Sequence, residues 1–317
     1  MRCARSHHPR GRDRRPRAGS SPAPRAQPIL VSGDTACQCY DGPALQYRLL
    51  ALDLDGTLLR SDGRVDDRDR AAIAELQRAG VAVTIVTGRL YSGSLGAARA
   101  CDIAGTIACV EGSHLIDVDS QTTLAHHAFA DDQTALLRTT FSDHGLASFV
   151  FDHDAIHHDR DGEPYAHYVT TWSPNMNVVD AAHAPSVWAN RPLAAVAIGE
   201  PEQVAAAHAA LRVHADRLFS VSFSVGRVPG KHAVLARAAG PSKGTALAEL
   251  CTLAGCTPAE AVAVGDWFND VPMFEVAGRS FVMAGAPEAV SSKASDSLDR
   301  VAGSGGGIAE AVRRAWG

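Results

Sequence analysis

The sequence predicts an α/β protein in which a doubly wound parallel sheet is interrupted by an inserted α+β domain. Short apolar runs at 49–54, 81–86 and 261–264 are typical of strands buried on both faces, as in parallel sheets. Helical patterns separate these runs. Between residues 127 and 235 the pattern changes, because the segment 219–225 alternates apolar and polar residues, as a strand of a sheet with one open face does.

The first part of the core is predicted over residues 46–126. Asp62-Gly63 follows the first strand between short extended arms and predicts a hairpin flap over 58–65. A helix capped by Asp66 or Asp67 and ended by Gly80 then leads into the second strand. The remaining elements of this part are a helix over 93–100, a strand over 107–110 and a hairpin over about 115–126.

The inserted domain is predicted over 127–235, as a mixture of helices and strands. Its helices are expected over 131–144 and 202–214, and its strands over 149–151, within 192–198, and over 219–225. The core is predicted to resume over 236–317. Its second part contains a helix from Ser242-Lys243-Gly244 to Gly255, strands at 261–264 and 280–283, and a final helix over 308–316.

The first 45 residues are predicted to lie outside the folded body. Segment 2–25 is dense in Arg and Pro and nearly free of large apolar residues, so it cannot bury enough surface to fold alone. Three interpretations compete: a disordered extension, a targeting peptide, or an artefact of the start site. The prolines oppose an amphipathic transit helix, and we favour disorder or the artefact.

Composition excludes several function classes. The 317 residues are 46% hydrophobic and 21% charged, with a net charge of −5, which gives no indication of nucleic-acid binding. No apolar run approaches the roughly 20 residues that span a bilayer, so no membrane partner is expected. The seven cysteines lack metal-ligand spacing and predict thiols in a reducing, cytoplasmic location. A monomer or a homodimer is expected.

Four chemical signals lie at predicted strand ends or at a helix start. Parallel strands bring their carboxyl ends to one edge of a sheet, so these signals are expected to meet. They are Asp53-Leu54-Asp55-Gly56-Thr57, Thr87-Gly88, Lys243, and Gly265-Asp266-Trp267-Phe268-Asn269-Asp270.

The chemistry of this set is restricted. Clustered carboxylates repel one another unless a divalent cation lies among them, and a donor set of oxygens alone favours Mg²⁺. The Thr87 hydroxyl, backbone N–H groups and Lys243 at a helix start suit a phosphate dianion. The combination predicts phosphoryl transfer through an aspartyl-phosphate.

The four motifs, in this order, resemble those of the haloacid dehalogenase-like (HAD) superfamily. The resemblance covers most of residues 47–317. It implies a Rossmann-type core, and the insert of roughly a hundred residues between Thr87 and Lys243 is similar to the class IIB cap of Cof-type phosphatases. Glu111-Gly112-Ser113-His114 and Met283-Ala284-Gly285-Ala286 depart from the usual Cof-type motifs and put the substrate, rather than the chemistry, in doubt.

The resemblance also implies a role for each site residue. Asp53 would be the nucleophile and a metal ligand, and Asp55 would move protons and offer its backbone carbonyl to the metal. Thr87, Gly88 and Lys243 would hold the phosphoryl oxygens, and Asn269 would orient Lys243 or phosphate oxygens. Asp266 would be a Mg²⁺ ligand, and Asp270 would either bind the Mg²⁺ or support its ligands.

The expected function is that of a Mg²⁺-dependent phosphatase for a small phosphorylated metabolite, with a sugar phosphate as one candidate. A phosphomutase or phosphotransferase on the same scaffold and a non-catalytic phosphometabolite-binding protein are the alternatives. Arg89 is expected to contact either phosphate or a carboxylate, and Phe268 to pack in the core. The His-rich segment 153–167 is expected to be a polar, solvated loop of the cap, with a second metal site as the alternative.

Overall fold

The computed structural model describes residues 46–226 and 228–317, so the expectations for residues 1–45 lie outside the described residues. The strands are β1 Leu49–Leu52, β2 Ala82–Ile85, β3 Thr106–Cys109, β4 His114–Asp117, β5 Thr123–His126, β6 Ala147–Phe151, β7 Ile156–His158, β8 Met176–Val178, β9 Ala194–Gly199, β10 Leu218–Ser224, β11 His232–Ala238, β12 Ala261–Gly265, β13 Arg279–Ala284 and β14 Asp296–Val301.

The helices lie between these strands, as an α/β pattern requires. They are α1 Asp67–Arg78, α2 Tyr91–Ala100, α3 Asp131–Asp143, α4 Ala166–Val169, α5 Pro185–Trp188, α6 Pro201–Arg212, α7 Lys243–Leu253, α8 Val271–Val276, α9 Glu288–Ser291 and α10 Gly307–Trp316. The predicted cap of α1 is Asp66, whose carboxylate accepts from the N–H of Arg68 at 2.9 Å.

The core is a parallel sheet with the strand order β14-β13-β12-β1-β2. The four residues of β1 are all buried, because alternate side chains enter two different hydrophobic clusters. From β1 the chain runs outward through β2 on one side, and it returns through β12 to β14 on the other. The strand order therefore reverses beside β1, where open α/β sheets form a ligand crevice at the carboxyl ends of their strands.

A small antiparallel sheet, β3-β4-β5, adjoins this core through a parallel bridge between Val86 and Ala108. The predicted flap is a short turn in which Leu59 bridges Val65 and Gly63 has a φ of 77°. The prediction of a doubly wound core interrupted by an α+β region is confirmed.

The inserted region forms a six-stranded sheet of order β10-β11-β9-β6-β7-β8. All of its pairs are antiparallel except β7 with β8. One face packs on α3 and α6 through Leu137, Phe141 and Val204. The other face is not open at its centre, because Phe149 and Phe151 pack in a cluster with side chains from the segment 163–172.

The alternation predicted for the segment 219–225 is present on the edge strand β10, but it is inverted. Phe219 and Val221 are 41% and 39% exposed, whereas Ser220 and Ser222 are only partly exposed, so these two apolar side chains lie on the more exposed side of the strand. Strand propensity could not predict this inversion, because it does not show which other elements cover each face of the sheet.

The His-rich segment is not a fully solvated loop, and that expectation is wrong. His158 is buried, with its ring centroid 5.4 Å from that of Phe149. His153 lies at the surface, but its ring packs on His114 and His126, at centroid distances of 4.9 and 5.4 Å. No helix in the described part of the chain combines the length and the apolar character needed to cross a membrane.

Candidate active site

The first site residue, Asp53, follows β1 directly. Its N–H donates to the carbonyl oxygen of Val264 at 3.0 Å, so the chain continues the sheet register for one more residue. Its side chain is 7% exposed, and burial raises the pKa of this carboxyl well above its usual value. An acid at this depth requires a cation beside it in order to stay ionised.

Lys243 supplies that positive charge. It is the first residue of α7, and Ser242 caps the helix by accepting from the N–H of Thr245 at 3.2 Å. The fully buried Lys243 Nζ donates to Asp53 Oδ1 at 2.6 Å and to Asp270 Oδ1 at 2.7 Å. Burial opposes the charge on Lys243, but Asp270 and Asp53 outweigh it and raise the lysine pKa well above its usual value.

Asp270 fixes the loop that follows β12. Its second carboxylate oxygen accepts from the N–H groups of Asp266 and Trp267 at 2.8 and 2.9 Å. The loop passes so close that a Cβ on Gly265 would lie 2.3 Å from Asp270 Cγ. Glycine is therefore required at position 265, where β12 ends. The Asp270 carboxylate binds the loop N–H groups through one oxygen and Lys243 through the other.

Asp266 completes a group of three carboxylates. One oxygen each from Asp53, Asp266 and Asp270 lies within 4.8 Å of the others. Gly56, at a φ of 85°, makes room for Asp266, because a Cβ there would lie 2.3 Å from Asp266 Oδ2. Thr57 Oγ1 donates to the other oxygen of Asp266 at 3.4 Å.

The electrostatics of the three carboxylates suit a divalent cation. Burial raises the pKa of Asp266 to about 7, and repulsion from Asp270 adds to the effect. Lys243 carries one positive charge against three carboxylates, so a second cation would relieve their mutual repulsion. Carboxylate oxygens are hard ligands, and the described residues could hold a divalent metal ion here.

Asp55 lies apart from this group. Its side chain is 60% exposed, and Arg89 donates to both of its oxygens, from Nε at 2.8 Å and from Nη2 in a second close contact. Arg89 therefore pairs with a carboxylate, one of the two expected roles. A two-point contact fixes the direction of the Asp55 carboxylate at the rim of the site.

Thr87 and Gly88 follow β2 at the same edge. The Thr87 side chain is buried, and its hydroxyl oxygen accepts from the N–H of Arg89 at 3.2 Å. Asn269 does not reach Lys243. Its Nδ2 donates instead to Glu111 Oε1 at 2.9 Å, and a Cβ on Gly88 would lie 2.6 Å from the same oxygen.

The sequence did not single out Glu111 as a site residue. Val110 and Glu111 have φ angles of 49° and 56°, a left-handed conformation that is rare for a β-branched residue such as Val110. Such strain is concentrated at functional sites, and here it directs an extra carboxylate towards Gly88 and Asn269. The sequence did contain one signal for such a role, because Glu111 is an acidic residue in the loop after the third predicted strand.

The aromatic pair in the acidic motif differs from expectation in one respect. Trp267 and Phe268 are 54% and 51% exposed, with ring centroids 5.4 Å apart. Phe268 is therefore not a core residue, because the short turn that begins at Phe268 directs its ring to the surface.

Comparison with known proteins agrees with this geometry. The family model described as haloacid dehalogenase-like hydrolase matches residues 50–312. The chain is 27% identical to the pyridoxal phosphate phosphatase YbhA of Escherichia coli, over 78% of this chain and 91% of that protein. It is 26% identical to the HMP-PP phosphatase of Yersinia pseudotuberculosis, over 76% of this chain and 85% of that protein.

The fold also has solved counterparts. A haloacid dehalogenase-like hydrolase from Bacteroides thetaiotaomicron superposes with a TM-score of 0.74 at 20% identity, over 84% of this chain and 99% of that one. With the family model covering most of the described residues, the chain belongs to the haloacid dehalogenase-like hydrolases, of the Cof type that its motifs and insert indicated.

Proposed function

We propose that the protein is a Mg²⁺-dependent phosphatase that hydrolyses a small phosphorylated metabolite through a phosphoryl group carried by Asp53. One observation supports this most strongly. A buried carboxylate at a strand end, Asp53, is held by Lys243 among two further acids, and a second carboxylate two residues later, Asp55, stands free of that cluster. Two acids in such different environments suit two different roles.

In the first step, an Asp53 oxygen attacks the phosphorus atom and the bond from phosphorus to the ester oxygen breaks. Asp55 gives a proton to the departing oxygen. In the second step, Asp55 takes a proton from water as the water attacks phosphorus, and the bond to Asp53 breaks. The exposure of Asp55 gives it access to water, while the burial of Asp53 keeps water from the nucleophile.

Asp53, Asp266 and Asp270 would hold the metal, and Asp55 would add its backbone carbonyl. Their all-oxygen donor set and mutual repulsion fit Mg²⁺. A bound Mg²⁺ would neutralise charge as the carboxylate and the phosphate dianion approach each other. Lys243 makes the same contribution from the other side, and Thr87, Gly88 and Asn269 would hold phosphoryl oxygens through a hydroxyl, a backbone N–H and an amide.

The similarity to these relatives supports hydrolysis of a phosphate ester but does not identify the substrate. The two curated relatives act on pyridoxal phosphate and on HMP-PP, as their names state, and we extend to this chain only the small phosphate ester. A sugar phosphate stays a candidate. The core–cap division, the cytoplasmic location and the monomeric or dimeric state stay predictions.

The test is release of inorganic phosphate from a panel of phosphorylated metabolites, with and without MgCl₂. We expect activity that requires Mg²⁺ and that falls at least about a thousandfold in Asp53→Asn, with the fold retained. An Asp53→Asn protein with even about a tenth of the activity would refute the nucleophile. Transfer of phosphate to a second hydroxyl would indicate a phosphomutase, and no turnover of any ester would indicate a binding protein.

A further inference from the structure

A buried arginine in the inserted sheet has no role in the proposed chemistry. Arg237 lies on β11 and is 6% exposed. Among the described residues, no carboxylate lies within 4.0 Å of its guanidinium, and its only hydrogen bond runs from Nη1 to the carbonyl oxygen of Pro241. Its Nε is buried without a partner. A buried cation with an unmade hydrogen bond is costly, so its retention calls for a reason.

The position of Arg237 connects it to the candidate active site. It lies six residues before Lys243, and its contact to Pro241 ties it to the turn that opens α7. That turn packs on the Glu111 loop, because a Cβ on Gly112 would lie 2.7 Å from the carbonyl oxygen of Ser242. Glu111 contacts Asn269 in turn, so the turn that Arg237 contacts lies beside the rim of the candidate active site.

The neighbouring strand holds the guanidinium in one plane. Phe219 pairs with Arg237 directly across the β10–β11 ladder, and the guanidinium carbon lies 4.0 Å from the centroid of the Phe219 ring. Stacking of this kind orients the planar group and leaves its edge free to donate. Nε, on that edge, is the nitrogen without a partner.

We propose that Arg237 binds an oxyanion on the leaving group of the substrate, so that the preferred substrates carry a second anionic group besides the phosphate that is removed. The inference rests on the proposed function for the location of the scissile phosphate. A planar, pre-oriented guanidinium is the side chain best suited to bind a carboxylate or a phosphate at two points. A carboxylate and a phosphate would present the same kind of oxyanion to Arg237, and the experiment below distinguishes between them.

The experiment measures binding without turnover, by calorimetry on the full chain carrying Asp53→Asn, in MgCl₂. Three probes are compared: 2-hydroxyethyl phosphate, which has a neutral leaving group; phosphoglycolate, which adds a carboxylate; and methyl diphosphate, which adds a phosphate. We expect at least one anionic probe to bind about tenfold or more tightly than the neutral one, as a charge-assisted hydrogen bond would give. The arm that shows the preference identifies the oxyanion.

Adding Arg237→Gln should reduce this preference to within about threefold. Lys231→Gln is the matched control, because Lys231 is a cation of the same sheet region that pairs with Glu200. Equal binding of the three probes would overturn the proposal, even if Arg237→Gln fails to fold. A preference that survives Arg237→Gln would overturn it as well.

Hydrolysis of the same probes by the unmodified protein separates this inference from the proposed function. An Arg237-dependent preference without hydrolysis of any ester would sustain the oxyanion site and refute the phosphatase. Hydrolysis of all three probes without a binding preference would support the phosphatase and refute the oxyanion site.

Discussion

At the scale of single residues, the site depends on one buried lysine. Lys243 is fully buried and makes its two ion pairs at 2.6 and 2.7 Å. The sequence could identify Lys243, Asp53 and Asp270, because each occupies a motif position. It could not show that Asn269 contacts Glu111 rather than Lys243, or that Arg89 pairs with Asp55, because these contacts depend on how separate loops meet.

Lys243→Met should reduce both activity and stability. It leaves Asp53 and Asp270 buried without their cation, and breaking such a pair costs about 3–5 kcal/mol. Urea unfolding measures the loss. Lys231→Met removes a partly exposed cation whose partner, Glu200, lies at the surface, and it should leave the unfolding midpoint nearly unchanged. An unfolding curve for Lys243→Met that matches the parent curve would contradict the burial argument.

His114 should make the fold sensitive to acid. Burial, together with His153 and His126, lowers the pKa of His114 to about 4. The usual histidine pKa is about 6.5, so the unfolded chain takes up the proton first. The neutral ring stabilises the fold fully above the unfolded pKa, and this stability is lost as pH falls from about 6.5 towards about 4.

We therefore expect His114 to account for about 2 kcal/mol of the stability lost between pH 7 and pH 5. Denaturant unfolding of the parent and of His114→Asn at these two pH values measures this contribution. The variant should lose about 2 kcal/mol less stability than the parent between pH 7 and pH 5. His127→Gln, at an exposed neighbour, is the control and should behave as the parent does. An equal loss in His114→Asn and in the parent would rule the mechanism out.

At the scale of elements, loop geometry determines whether the acids converge. Sequence patterns identified the strands and helices around the site, because apolar runs and glycine stops are local signals. They missed β7, β8, α4, α5 and α9, which have three or four residues each. They also missed α8, the seven-residue β11, and β14, whose Asp-Ser-Leu-Asp-Arg-Val sequence is polar for a strand. These elements depend on tertiary contacts rather than on their own periodicity.

Gly56→Ala should weaken the metal site through a steric effect. The added Cβ would lie 2.3 Å from Asp266 Oδ2, so Asp266 must move away from the other carboxylates. Gly63→Ala is the matched control, because φ is 77° there against 85° at Gly56, but nothing lies within 4 Å of its Cβ.

Both changes carry the cost of a left-handed alanine, about 1–2 kcal/mol. Gly56→Ala alone should raise the Mg²⁺ concentration needed for half-maximal activity, by about tenfold or more. Magnesium titrations of phosphate release make the comparison. If both variants need the same Mg²⁺ concentration for half-maximal activity, Gly56 is required only for its backbone conformation and not for the position of Asp266.

At the scale of the whole molecule, the inserted sheet is tied to the core near the site. Ser92 contacts Asp154 and Ser173, and the carbonyl of Trp172 accepts from the N–H of Leu90 at 2.9 Å. The sequence indicated the insert by its length and by its change of pattern. It could not show that the segment 163–172 covers the centre of the sheet, because that packing joins residues with no common period.

Binding of Mg²⁺ should stabilise the folded protein as a whole. A cation that binds the folded state alone adds about 2.7 kcal/mol at a hundredfold excess over its dissociation constant. Thermal unfolding with increasing MgCl₂ should therefore show a rising midpoint. Asp266→Asn removes one of the three carboxylates and should flatten this dependence. A midpoint that rises equally in this variant would place the metal elsewhere.

In the proposed mechanism, Asp53 carries the phosphoryl group and Asp55 is needed to release it. The direct measurement uses Asp55→Asn with p-nitrophenyl phosphate, whose leaving group departs without a proton, in the presence of MgCl₂. After an acid quench, mass spectrometry locates the phosphoryl group. We predict one equivalent of p-nitrophenolate per protein, little further turnover, and a phosphoryl group on the peptide that contains Asp53. Steady turnover with no modified Asp53 peptide would refute Asp53 as the carrier of the phosphoryl group.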